Sequence, residues 1–183
     1  MPKLLFLISV LILPVTSNML RGQELYRAVD GAVYFKSDAP LELIEAESKH
    51  LKGLIDPVKR TFAFSLSVST FKGFNSPLQQ EHFNENYMES SKYPDATFSG
   101  KIIEDVDLSV PGEYTIRAKG KLSVHGVEQE RIIKSTVVSK GNVLLVKAVF
   151  TVLLAEHNIS IPRIVYQKIA EEIQVNVEAR FSS

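Results

Sequence analysis

Side chains able to do chemistry are few and scattered along this chain of 183 residues. The four histidines, His50, His82, His125 and His157, form no His-x-x-x-His or His-Glu-x-x-His pattern. That is the spacing that sets imidazoles around a zinc ion on one helix face, so metal binding has no support. Nucleophilic catalysis finds no Gly-x-Ser-x-Gly elbow. Ser65, Ser67 and Ser69 read as the wet face of a strand, and Ser90 and Ser91 as a helix exit. Glu104, Asp105 and Asp107 cluster at a strand end, and Glu171 and Glu172 sit at a helix-to-strand junction. Both groups suit solvated turns better than an acid/base pair. The absence of cysteine excludes thiolate catalysis, heme attachment and disulfides, and leaves the compartment unreadable from redox usage. No reaction is written in these residues, and the expectation is a protein that is not an enzyme.

Of the histidines, His82 has the most telling context. Ser76, Pro77 and Gln79 predict a helix start, with a hydroxyl N-cap, a proline at the first helical position and a glutamine placed to close a capping box. Phe83 and Tyr87 share one face of this short helix. Ser90, Ser91 and Pro94 then stop it, and Ala96, Phe98 and Gly100 begin a two-residue alternation.

The elements that must position this helix are strands. Phe62, Phe64, Leu66 and Val68 alternate with Ala63, Ser65, Ser67 and Ser69. The same period returns over 113–125 and again over 173–181. Weaker strand signals lie at 25–37, 41–48, 50–56, 95–105, 127–139 and 142–155, separated by turn formers such as Pro111-Gly112, His125-Gly126 and Lys140-Gly141. So many half-wet strands joined by short turns predict a mainly β fold, an antiparallel lipocalin-like barrel of eight or nine strands, which also disposes of open sheet edges. A second short helix is expected over 162–171, from Pro162 and the spacing of Ile161, Ile164, Val165 and Ile169.

The inward faces hold Ala96, Gly100, Ala118, Gly120, Ala148 and Ala179, where a packed core would place larger side chains. Two readings stand. A barrel of this size has room for one slender ligand, or small and large residues alternate to fit the taper of a filled interior. If there is a ligand, the inward candidates to contact it are Phe62, Phe64, Leu66, Phe98, Ile116, Ala118, Leu122, Phe150, Val152, Val177 and Phe181, each of which also reads singly as ordinary core. His82 joins them at the mouth as a contact for a polar head group. At about 0.8 kcal/mol per buried CH₂, two or three five-carbon units supply roughly 8–12 kcal/mol before ordering costs, so apolar contact alone would suffice.

Composition narrows the partners. Twenty-one basic and twenty-one acidic residues cancel, and no Lys/Arg block occurs, which argues against nucleic acid. The length is that of one domain. Lys3 precedes an apolar run from Leu4 to Leu13 that is short of the roughly 20 residues a membrane span needs. It fits a secretory signal peptide over residues 1–22, cleaved after Ser17 or after Gly22, with residues 23–183 as the mature domain. An uncleaved membrane anchor is the competing reading of the same segment.

The order of parts, with His82-Phe83 inside the helix, the Lys92-Tyr93-Pro94 exit and the run Leu122-Ser123-Val124-His125-Gly126-Val127, resembles the YceI-like family. The resemblance covers about residues 25–182. It implies a secreted bacterial protein with a lipocalin-like barrel that holds a polyisoprenoid chain. The expectation is thus a periplasmic or secreted, non-catalytic binder of a long-chain isoprenoid or similar lipid. It needs no cofactor beyond that ligand and keeps no stable membrane span once the signal is removed; a homodimer is left open. The family commonly carries Arg-Asp before the helix histidine, whereas Gln80 and Glu81 stand here, which removes a cation. The rivals are an enzyme acting on a bound apolar substrate through His82 or Glu81, and a filled barrel that serves as a partner-binding surface.

Overall fold

Alternation of apolar and polar side chains governs the chain from residue 26 onward, and in the computed structural model it yields antiparallel strands throughout. The structure describes residues 25–183, so the expected signal segment 1–22 and its cleavage points lie outside the described residues. The strands are β1 (Tyr26–Asp38), β2 (Leu43–Ser48), β3 (Lys52–Asp56), β4 (Thr61–Ser67), β5 (Asp95–Ile102), β6 (Gly112–Val124), β7 (Val127–Ser139), β8 (Val143–Leu153) and β9 (Glu172–Ser182). Every segment that carries a strand signal forms one.

β1 closes the sheet on itself. One of its edges pairs with β9 from Arg27 to Lys36. The other is shared: Val33–Asp38 pair with β2, and Tyr26 and Arg27 pair with β3. A register shift between Ala28 and Asp30 bends β1 so that it serves both partners. The result is a closed barrel of eight strands, with β2 as an extra strand beside β1.

The two ends of the barrel differ. At one end the loops after β3, β5 and β7 cover a packed cluster that includes Tyr26, Ile55, Phe62, Ile102, Leu108, Ile116, Val137 and Leu144. Leu108, from the irregular loop before β6, is 1% exposed and acts as the plug. Ser139 Oγ donates to the Leu108 carbonyl at 2.6 Å, and the Tyr26 hydroxyl donates to the Gly141 carbonyl, which fixes these loops to the wall.

The other end carries the helix α1 (Pro77–His82), inserted between β4 and β5. Ser76 Oγ accepts the Gln79 N–H at 3.1 Å, the expected cap. The return half of the box is displaced by one residue: Gln79 Oε1 accepts from the N–H of Asn75 at 3.0 Å, and its Nε2 donates to Glu42 Oε1 at 2.8 Å. Past His82 the helix widens into a π turn over Phe83–Tyr87, closed by the Met88 N–H on the Phe83 carbonyl.

The expected second helix over 162–171 is corrected to a single 3₁₀ turn, Arg163–Val165. Its backbone groups are used elsewhere. The Gln167 carbonyl accepts the Leu41 N–H at 2.9 Å, and the Ala170 N–H goes to Ser37 Oγ at 2.9 Å, so the segment braces the barrel rim instead of closing an α-helical ladder. Ile164, which helical spacing would bury, is 91% exposed.

Candidate functional site

Inward side chains divide by depth, and the division locates the empty space. Toward the plugged end Phe62, Ile102, Ile116, Val137 and Leu144 are buried outright. Higher in the barrel several inward residues, among them Phe64, Phe98, Ala148, Phe150 and Val177, are only half-buried although they point away from bulk water, while Leu66, Leu122 and Val152 beside them are buried. They face a cavity of about 540 Å³ that opens beside α1, within the ~300–1,000 Å³ range of small-molecule sites.

Phe64, Leu66, His82, Phe98, Ala118, Leu122, Phe150, Val152, Val177 and Phe181 all line this cavity. Phe62 and Ile116 do not: they sit one inward position deeper, where the plug fills the barrel. The small inward residues divide too. Ala96, Ala118, Ala148 and Ala179 are on the cavity wall. Gly100 and Gly120 are not, and their smallness has another cause. They face each other across β5 and β6, and a Cβ added at Gly120 would lie 2.2 Å from the Ser99 carbonyl oxygen.

Sequence reasoning missed the aromatic lining of the mouth. Phe35 of β1, Phe71 and Phe74 from the irregular stretch after β4, and Phe83 form one cluster, with ring centroids 5.0 to 5.9 Å apart. Phe71 and Phe74 lie in a segment without periodicity, so only their aromatic character marked them. Lys72 also makes reciprocal backbone hydrogen bonds with Glu47 of β2 at 2.8 Å, which ties the stretch after β4 to β2. Most polar groups on the lining collect near the opening, Ser37, Glu42, Ser76, Gln79, His82 and Lys168, while Ser65, Thr97 and Ser135 stand on the strands of the wall.

His82 lines the mouth and is solvent-exposed, and its imidazole makes no hydrogen bond among the described residues. Gln80, where the family pattern has a cation, donates from Nε2 to the Phe71 carbonyl at 3.1 Å and so ties the helix to the segment beneath it. Glu81 is exposed and outside the cavity wall.

His125, which its turn position after an outward-facing run would leave in solvent, is instead a clasp whose side chain is 11% exposed. It and Gly126 both take positive φ in the tight β6–β7 turn, which carries the ring back over the barrel end. Nδ1 lies 3.0 Å from the His157 carbonyl, to which it must donate, and Nε2 lies 2.8 Å from Glu89 Oε2. Tyr93 packs edge-on against this ring at 4.7 Å and covers Gly126, where any Cβ would strike it. The Lys-Tyr-Pro and Leu-Ser-Val-His-Gly-Val motifs thus meet in space as one joint that holds the helix exit. His157 itself is fully buried, with Nδ1 3.1 Å from the Val127 carbonyl.

The acidic cluster braces the plugged end. Glu104 accepts from the Arg117 backbone N–H at 2.6 Å and from its Nε at 2.7 Å, which holds the carboxyl below the usual carboxylate range. Ser109 does the same for Asp107, and Asp105 pairs with Arg60 at 3.1 Å. Among the described residues no group of three or more histidines and carboxylates is arranged to hold a metal ion, and no helix is long and apolar enough to cross a membrane.

Comparison with known proteins places this geometry in company. The family model for the YceI-like domain matches residues 31–181. No curated protein matches the sequence. Among solved structures, BcnA of Burkholderia cenocepacia is similar with a TM-score of 0.68 at 18% identity, over 82% of this chain and 95% of that one. A polyisoprenoid binding domain from Saccharophagus degradans, implicated in plant cell wall breakdown, gives 0.74 at 12% identity, over 86% and 98%. The YCEI protein of Campylobacter jejuni gives 0.54 at 12% identity, over 100% and 93%. At these identities the likeness is one of fold.

Proposed function

We propose that this chain, which belongs to the YceI-like domain family, is a non-catalytic binder that holds a long-chain isoprenoid or similar lipid lengthwise in its barrel. The observation that carries the reading is the cavity: an apolar slot, plugged at one end and open beside α1, walled by inward aromatic and aliphatic side chains. An apolar chain entering it gives up its water-facing surface at about 0.8 kcal/mol per CH₂, and the wall presents few polar groups that would lose hydration in exchange. Because the polar lining gathers at the mouth, a head group would remain there, near His82, Gln79 and Lys168, while the tail fills the depth. The similarity to the polyisoprenoid binding domain from Saccharophagus degradans supports this class of ligand.

The reading includes a periplasmic or secreted location, motivated by Lys3 and the apolar run that follows it. Mass spectrometry of protein recovered from its own host tests both parts. Organic extracts should contain a prenyl lipid at about one per chain, and the intact mass should lack residues 1–17 or 1–22. Extracts repeatedly free of lipid would defeat the binding reading, and retention of Met1 to Leu13 on membrane-associated protein would defeat the location.

A further inference from the structure

Four well-exposed apolar side chains stand around the opening of the cavity. Ile164 is 91% exposed, Leu41 67%, Tyr166 64% and Leu78 57%. They come from three separate segments, the β1–β2 loop, α1 and the 162–170 segment, yet they stand on one structure. Gln79 Nε2 donates to Glu42 Oε1 at 2.8 Å, joining α1 to the loop, and the Leu41 N–H donates to the Gln167 carbonyl at 2.9 Å, joining the loop to the third segment. Leu78, Glu42 and Val165 also line the cavity, so these apolar tips surround its opening. Exposed aliphatic and aromatic side chains gathered at one place mark a docking surface.

We infer that this rim docks on an anionic phospholipid bilayer, with Ile164 and Tyr166 entering the interface. The inference rests on the cavity holding a lipid, since such a ligand lives in membranes and the docked rim would open the cavity onto them. Charge supports the same occupant. Between Pro162 and Ala170 the chain carries Arg163 and Lys168 and no carboxylate, and neither cation forms an ion pair among the described residues. Glu171 and Glu172 lie where the segment rejoins the barrel wall, Glu172 being paired with Leu153; of the carboxylates on the other two rim segments, Glu42 accepts from Gln79 Nε2 and Glu81 is exposed on α1. An apolar tip with a tyrosine beside it and basic side chains at its flanks has the composition of an interfacial anchor: the ring and aliphatic carbons enter the head-group region while the cations stay with the phosphates.

The chain contains no tryptophan, so Ile164→Trp introduces a single reporter. With vesicles of equal parts phosphatidylglycerol and phosphatidylcholine its emission should shift to the blue and be quenched by brominated acyl chains. Adding Arg163→Glu, or raising the salt, should weaken vesicle binding several-fold. In parallel, Ile164→Asp/Tyr166→Asp should lower co-sedimentation with these vesicles at least tenfold while keeping the parental circular dichroism and the loading of a fluorescent prenyl chain from detergent micelles. Emission unchanged by the vesicles would overturn the inference. So would a concentration-dependent dimer abolished by Ile164→Asp, which would assign the surface to a second copy. Micelle loading is read separately: if the parent protein fails to load, the cavity reading falls, whereas loading without vesicle binding defeats the docking alone.

Discussion

Phe83, the first residue beyond α1, stacks on Phe35 of the barrel wall with ring centroids 5.4 Å apart and planes 16° from parallel. No residue of α1 itself is buried, so this stack, with Phe71 and Phe74 at its edges, is the apolar contact that seats the helix over the cavity. One ring supplies the apolar seat of this lid, and the hydrogen bonds of Gln79 to Glu42 and of Gln80 to the Phe71 carbonyl add polar ties.

Phe83→Ala should therefore loosen the lid and spare the barrel. Phe83 is half-buried, so the expected cost is about 1–2 kcal/mol, below the ~3–5 of a fully buried phenylalanine. Amide hydrogen exchange over residues 77–88 should accelerate about tenfold, and bound lipid should leave faster, while β6 and β7 keep their protection. Uniform loss of protection across the strands would show that Phe83 belongs to the global core instead.

Gly120→Ala tests the close approach of β5 and β6. Its new Cβ would meet the Ser99 carbonyl oxygen at 2.2 Å, and a backbone atom cannot swing aside as a flexible side chain does. A loss of at least about 3 kcal/mol in denaturant unfolding is expected, at the top of the overpacking range. A neutral outcome would mean that the strands separate there at little cost.

His125→Ala removes both arms of the joint between the helix exit and the 154–157 turn. Two lost hydrogen bonds, one to a carboxylate in a half-buried setting, should cost about 1–3 kcal/mol. Exchange should rise in residues 88–94 and 154–158, and Glu89→Gln should reproduce part of the effect. Parental exchange in both segments would show that the joint contributes nothing.

These residues also show how far the sequence could be read. The strands were legible because alternation with a period of two is dictated by the pleat, and strands form in all three of the clearest segments, 61–70, 113–125 and 173–181, although the first ends at Ser67, where Val68–Thr70 pass into a 3₁₀ turn. Depth was not legible. Phe62 and Phe64 are consecutive inward positions of one strand, yet the first is packed and the second faces the cavity, because Leu108 from an aperiodic loop sets where filling stops. Gly120 and Ala118 looked alike as small inward residues, although one answers a neighbouring backbone and the other leaves room. The segment 162–171 had helical spacing, but its hydrogen bonds to Leu41 and Ser37 decided against a helix, and such tertiary partners leave no mark in local pattern. Exposure of His125 was misjudged for the same reason: its partner Glu89 lies 36 residues away.

The most direct test of the account is a large side chain placed in the space said to be vacant. Ala118 lies at the floor, where the cavity meets the packed cluster, so Ala148 is the better position: its neighbours in register, Ser135 and Val177, both line the cavity. In ligand-stripped Ala148→Trp, the indole should occupy ligand space. The melting temperature should stay within about 4 °C of the parent, a change of no more than roughly 1–2 kcal/mol for a domain of this size, while affinity for a fluorescent prenyl chain falls at least tenfold. Early unfolding, as overpacking of a filled core would cause, or lipid binding with parental affinity would contradict the claim that this barrel is built around an open apolar cavity.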